Sequence, residues 1–156
     1  MVLDVHDAPQ HLLQPVTADI RRLTEPVQLA DVVAVLEPVW MRNFDWVYER
    51  MGREMTEPGY LSMYVAYVED RPVSVGWTHF HEGHFASLWG GSTLESMRGR
   101  GLYTALLATR VQEAIARGKR FVTLDAGSMS RPIVARYGFF ELTTAVACEW
   151  RPEAQR

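Results

Sequence analysis

The chain has 156 residues, 47% of them apolar and 22% charged, the profile of one cored globular domain, which excludes both a disordered chain and a multidomain assembly. Its formal charge of −3 conceals a division: residues 1–96 carry 6 basic and 14 acidic side chains, net −8, and residues 97–156 carry 10 and 5, net +5. An acidic half beside a basic half suits two oppositely charged small partners and disfavours a continuous nucleic-acid surface.

Residues 1–15 are polar and punctuated by proline, so they are expected as a lead-in to a domain over 16–150, with 151–156 as a tail. Val16–Leu23 alternates as a first strand. From Pro26, the residues Val27, Leu29, Ala30, Val33, Leu36 and Val39 recur at helical spacing. After a break at Pro38 to Asn43, Phe44, Val47, Tyr48 and Met51 predict a second, short helix up to Gly52. Leu61–Val68 and Val73–Phe80 flank a Glu-Asp-Arg-Pro turn, and Glu82-Gly83 is expected as a two-residue turn into His84–Leu94, which makes a three-stranded meander. Leu102, Leu106, Leu107, Val111, Ala114 and Ile115 predict a long amphipathic helix that ends at Gly118. Phe121–Leu124 reads as a buried strand, Ser130–Tyr137 as a short helix and Phe139–Trp150 as a last strand. The order β-α-α-β-β-β-α-β-α-β predicts an α/β (α+β) domain. The lone Cys148 cannot form an intramolecular disulfide, no apolar run approaches the roughly 20 residues of a membrane span, and no signal-peptide pattern is evident. A reducing cytoplasm without membrane contact is the expected setting.

The chemistry concentrates where the meander ends and the long helix begins, in Thr93-Leu-Glu-Ser-Met-Arg-Gly-Arg-Gly-Leu-Tyr103. Glycines let a ligand approach the backbone, and the first N–H groups of a helix lack internal partners, so the segment is suited to an anion. Arg98 and Arg100 would add charge-assisted hydrogen bonds to a phosphate; a plain turn with solvated arginines is the competing reading. The segment is neither a Walker loop nor a dinucleotide fingerprint.

A strand, an Arg-x-x-Gly turn and a long helix, placed after a meander and before a strand, a helix ending in Tyr-Gly-Phe and a strand, resemble the GCN5-related N-acetyltransferase (GNAT) family over about residues 16–150. The family's motif is Arg/Gln-x-x-Gly-x-Gly/Ala. Arg98 and Gly101 match it, Tyr103 replaces its last small residue, and Gly138-Phe139 match the second family mark. The resemblance implies a mixed, mostly antiparallel sheet of about six strands, flanked by helices, with a central strand pair that splays. It further implies binding of acetyl-coenzyme A: pyrophosphate on Arg98, Gly99, Arg100, Gly101, Leu102 and Tyr103, the pantetheine arm along Gly91, Thr93 and Leu94, and Ser128 and Ser130 beside that arm. The implied activity is direct acetyl transfer to a primary amine of a small molecule, or second to a peptide or protein amine, by a monomer or homodimer.

A neutral amine must attack the thioester, and an alkyl ammonium has a pKa of about 10, so a proton acceptor is required. The family's frequent acid, a Tyr four residues before the Gly of Gly-Phe, is Val134 here, and Tyr137 is the alternative. His79, His81 and His84 would share one face if Glu82-Gly83 is a two-residue turn, with His81 and His84 directly paired. That cluster reads as a proton acceptor, as a three-histidine metal site or as a solvated hairpin tip; no metal is expected. Glu82 and Ser87 rank lower. Trp40, Phe44, Trp46 and Tyr60, set among acidic residues, are candidates for an acceptor lid that favours a cation, or they are core. A non-catalytic acyl-coenzyme A-binding regulatory domain is the rival reading.

Overall fold

The computed structural model describes residues 1–146 and Cys148. Six strands form one sheet: β1 (Val2–Asp4), β2 (Ile20–Leu23), β3 (Leu61–Val68), β4 (Arg71–Phe80), β5 (Phe85–Thr93) and β6 (Phe121–Leu124). Their spatial order is β1-β6-β5-β4-β3-β2, and every neighbouring pair is antiparallel except β5 and β6. Five helices accompany them: α1 (Gln10–Leu13), α2 (Leu29–Trp40), α3 (Trp46–Glu54), α4 (Leu102–Ala116) and α5 (Arg131–Arg136). This is the mixed, mostly antiparallel architecture expected from the sequence. Among the described residues no helix is long and apolar enough to cross a membrane.

The helices divide between the two faces. On one, Leu29, Val32, Leu36, Val47 and Met51 of α2 and α3 pack on Met63, Val65, Val75 and Trp77. On the other, Leu107, Val111 and Ala114 of α4 pack with Phe80, Ala86, Leu88, Val122 and Leu124, and α5 adds Val134. Strand alternation explains the division, because Ala86 and Leu88 of β5 point to the α4 side while residues 85, 87 and 89 point to the other. Apolar burial of this kind, at about 25 cal/mol per Å², is the main stabilising term.

Several expectations need correction. The lead-in is not loose: Val2–Asp4 pairs with Phe121–Thr123 and covers the outer edge of β6. Three residues are too few to show a period. The last strand, Phe139–Trp150, is reduced among the described residues to a single bridge between Val2 and Phe140. Phe139 is drawn into the core, whereas Glu141–Val146 find no ladder and are exposed; Ala147, Glu149, Trp150 and the 151–156 tail lie outside the described residues. Pro38 does not break its helix. It stands in the last turn of α2, where its missing N–H forfeits one bond, and the helix continues to a left-handed cap at Met41 (φ 50°).

The first strand is shorter than Val16–Leu23, starting at Ile20. The Glu82-Gly83 turn is longer than two residues, since pairing stops at Phe80–Ala86 and leaves 81–84 as the loop.

A bulge between β4 and β5 positions everything that follows. Val75 faces Ser92 and Trp77 faces Trp89, so Gly76 alone spans what Gly90 and Gly91 span together. Gly90 adopts φ 64°, and a Cβ there would lie 1.8 Å from the Trp77 ring. Gly90→Ala is therefore expected to lower stability by at least about 2 kcal/mol, from backbone strain and overpacking together, as a reduced midpoint in urea unfolding; an unchanged midpoint would show that the bulge is not rigid.

Candidate active site

The parallel pair β5 and β6 stays together only from Phe85–Phe121 to Leu88–Leu124. Beyond Leu88, β5 follows β4 to Thr93 while β6 ends, and a gap opens between them. On the α4 side the gap joins a cavity of about 460 Å³ bounded by β5, the turn before α4, the start of α4, and α5. Trp40, at the end of α2 and 57% exposed, closes one side, with its indole Nε1 donating to Ser92 Oγ at 2.9 Å.

The turn into α4 has the character that its sequence predicts. Gly99 and Gly101 take φ of 74° and 78°, the left-handed region that favours glycine. Gly101 is the N-cap, no side chain caps the helix, and the first helical hydrogen bond runs from Ala105 N–H to the Gly101 carbonyl. The N–H groups of Leu102, Tyr103 and Thr104 are therefore free of intrahelical partners at the cavity wall, with the positive end of a 15-residue helix behind them. Such a terminus suits a phosphate group.

Gly91, Thr93, Arg98, Gly99, Gly101, Leu102, Tyr103, Ser130 and Tyr137 all line the cavity. Arg98 Nε lies 3.4 Å from the Thr93 carbonyl. Three expected members lie off the wall: Arg100 donates to the Met97 sulfur, Leu94 packs into the apolar core, and Ser128 is exposed. Tyr103 points inward, and burial raises its phenol pKa. Its ring reaches over Gly91, where a Cβ would stand 3.0 Å from it.

Behind Tyr103 lies a smaller chamber of about 90 Å³, walled by Leu88, Trp89, Gly91, Leu124, Arg110 and Asp125. Arg110, only 2% exposed, is a residue that the sequence reading passed over. Its Nε donates to the Leu106 carbonyl, and its Nη1 donates to the Trp89 carbonyl at 3.2 Å and toward that of Trp77 at 3.5 Å. Burial pulls its pKa down to about 10. The signal was an arginine on the apolar face of α4, one turn after Leu106.

On the opposite side of the sheet, α2 and α3 leave the β5–β6 strip uncovered. Phe85 and Phe121 stack there at 5.2 Å, on the same strand face as Ser87, Thr123 and Trp89. His81 Nε2 is 3.0 Å from Ser87 Oγ, which is 3.1 Å from Thr123 Oγ1, so a polar chain runs to within one residue of the gap.

The three histidines do not act as one cluster. His79 is buried and held by Glu54 at 2.7 Å; His84 sits in the turn, its carbonyl accepting from the N–H groups of Arg120 and Phe121. The expected pairing of His81 with His84 fails because the register places Phe80 opposite Ala86. Among the described residues no group of three His, Cys, Asp or Glu is placed to hold a metal ion.

Of the proposed acceptor lid, Phe44 is core at 3% exposure, so its ring is not available to a ligand. Trp46 packs against Phe44 and is partly exposed, Trp40 belongs to the cavity, and Tyr60 leans on His79 at 5.1 Å. Tyr137 lines the cavity while stacking edge-on with His11 at 4.7 Å.

The family model described as an acetyltransferase (GNAT) domain matches residues 16–130. No curated protein sequence matches the chain. Among solved structures, an aminoglycoside antibiotic 6'-N-acetyltransferase from Acinetobacter baumannii is 19% identical with a TM-score of 0.68, over 86% of this chain and 98% of that one. A predicted acetyltransferase from Clostridium acetobutylicum, solved with acetyl-CoA, is 17% identical with a TM-score of 0.69, over 85% and 96%. A Bacillus halodurans transcriptional regulator is 19% identical with a TM-score of 0.73, over 85% and 99%. At such identities these likenesses carry the fold alone.

The Glu54–His79 contact ties α3 to β4 beneath the acceptor side. Burial pushes the Glu54 carboxyl up, but the hydrogen bonds from His79 and Arg50 outweigh it and leave the pKa below the ordinary value of 4.5. A carboxylate lowered by folding contributes stability above its unfolded pKa and loses it as pH falls through the folded value. Urea midpoints should therefore drop from pH 6 to pH 3, and Glu54→Gln should flatten part of that dependence; parallel profiles in the two proteins would refute the assignment.

Proposed function

The chain belongs to the GNAT acetyltransferase family, and from that premise we propose that it transfers an acetyl group directly from acetyl-coenzyme A to a primary amine of a small molecule. The carrying observation is the uncapped, left-handed glycine turn at the head of α4, which opens on a cavity that leads to the gap between β5 and β6. The turn N–H groups and Arg98 would hold the pyrophosphate, and the free edge of β5 at Gly91–Thr93 would hold the pantetheine arm. That path directs the thioester to the gap from the α4 side.

The amine would arrive from the other face. There Trp89 with the Phe85–Phe121 stack supplies aromatic surface, and Asp125, exposed directly after β6, supplies a negative charge near the gap, which together suit an ammonium group or its aliphatic stem. The aminoglycoside acceptors named for several structural neighbours are multiply charged amines and are consistent with this choice. As the amine attacks, its proton would pass through Thr123 and Ser87 to His81, the imidazole at the solvent end of the chain. Tyr137, on the cavity wall, is the group proposed to return a proton to the departing thiolate. The access of two substrates from opposite faces supports direct transfer without an enzyme-bound acyl group.

Two observations favour a regulatory domain that binds acyl-coenzyme A without turnover. Val134, where the family frequently places its acid, is completely buried, and Tyr103 fills space that a smaller residue would leave open. Coenzyme A release measured across a panel of amines separates the readings: acceptor-dependent release supports transfer, and tight binding with no release for any amine supports regulation. Binding itself is tested by Gly101→Glu. A Cβ there would meet only Thr104 Oγ1, at 3.9 Å, while φ 78° strains the backbone, so retention of the fold is checked by circular dichroism; in the folded variant affinity for acetyl-coenzyme A should fall at least a hundredfold, and unchanged affinity would remove the pyrophosphate assignment.

A further inference from the structure

The chamber behind Tyr103 contains a feature that acetyl transfer does not use. Acetyl-coenzyme A brings only a neutral methyl group to the end of its slot, yet the chamber wall carries a guanidinium. Arg110 is fully enclosed, and no carboxylate among the described residues pairs with it. A buried cation normally has a charged partner, because desolvation is expensive and neutral carbonyls offset only part of it. Nε and Nη1 are committed to carbonyls. Nη2 has no acceptor among the described residues, and it lies between Gly76 and Gly91, 3.2 and 3.8 Å from where their Cβ atoms would stand.

The backbone is arranged to admit this group. At Gly76 a Cβ would come 2.7 Å from Nη1, and glycine therefore lets the guanidinium sit flat beneath the bulge. The neighbouring chamber wall is apolar through Leu88 and Leu124, and the Tyr103 phenol beside Ser130 adds a neutral donor. Asp125 also lines the chamber, but it is exposed and makes no ion pair with Arg110. A half-open space of about 90 Å³, with a guanidinium at its inner wall and the Tyr103 and Ser130 hydroxyls beside it, fits a small carboxylate.

We propose that this chamber receives the carboxylate end of a dicarboxylic acyl group, so that malonyl- or succinyl-coenzyme A is a donor preferred over acetyl-coenzyme A. The proposal rests on the acyl transfer argued above and adds a second donor class to it. The amine nitrogen attacks the thioester carbon, the C–N bond forms and the C–S bond breaks. Sulfur leaves with the bonding pair and takes a proton from Tyr137, the proton shed by nitrogen passes to His81, and the distal carboxylate stays ionised against Arg110.

The test is calorimetric titration of the full chain with coenzyme A and with its acetyl, malonyl and succinyl thioesters. Expected is at least tenfold tighter binding of the malonyl or succinyl thioester than of the acetyl thioester, with that ratio falling to about one or below in Arg110→Met and surviving in Arg110→Lys. Acetyl-coenzyme A binding as tightly as either in the native chain would overturn the proposal and leave the acetyl-transfer reading intact. Absence of binding by coenzyme A and every thioester would instead remove the acyl-transfer reading, and this proposal with it. If Arg110→Met does not fold, the ranking in the native chain decides alone.

Discussion

Three glycines meeting at one point of the sheet are the constraint on which the site depends. Gly76, Gly90 and Gly91 form the bulge between β4 and β5, and a large side chain packs against each: Arg110 on Gly76, Trp77 on Gly90 and Tyr103 on Gly91. The bulge turns the Trp89 carbonyl from the ladder toward Arg110. It also leaves β5 able to follow β4 while β6 stops, so the gap through which a donor and an acceptor meet begins one residue before the bulge. A Cβ at Gly76 would require the Arg110 guanidinium to move and one at Gly90 the Trp77 ring, and Gly91 is already at the limit of contact with Tyr103.

The uneven charge of the two halves has a more structural origin than a phosphate surface would suggest. In the basic half, Arg110 is buried, Arg117 ties Glu113 to Ser62 and the Gly59 carbonyl, Lys119 holds the carbonyls of His81 and Gly83, and Arg120 pairs with Asp4. Of the expected pair at the turn, only Arg98 lines the cavity. The anion site is thus built mainly from backbone N–H groups and a helix terminus, which need no net charge. Exposed pairs such as Arg120–Asp4 add little stability.

The central elements were legible because each carries a strong local signal. Leu61–Val68 is the strand that its β-branched and aromatic run predicts, and β6 matches Phe121–Leu124 to the residue. The long helix ends where Gly118 predicts, and the glycines of the anion turn announce their left-handed backbone. The edges were not legible. A three-residue strand has no period, and only the structure shows that Val2–Asp4 takes the edge of β6, with Phe140 bridging to Val2.

For the site, residue types and spacing determined the fold family, the turn at Arg98–Gly101 and the helix that follows it. Local chemistry dictates these: φ above zero selects glycine, and a 3.6-residue period selects a buried face. Only the tertiary structure decided that His79 belongs to Glu54, that His81 joins Ser87 and Thr123, that Phe44 is core, and that Trp40 closes the cavity. It also decided what Arg110 is. In sequence it is a polar interruption of an apolar stripe, equally suited to solvent. Its enclosure depends on three glycines up to 34 residues away, Gly76 being the farthest, and no one-dimensional pattern records a contact between such distant positions.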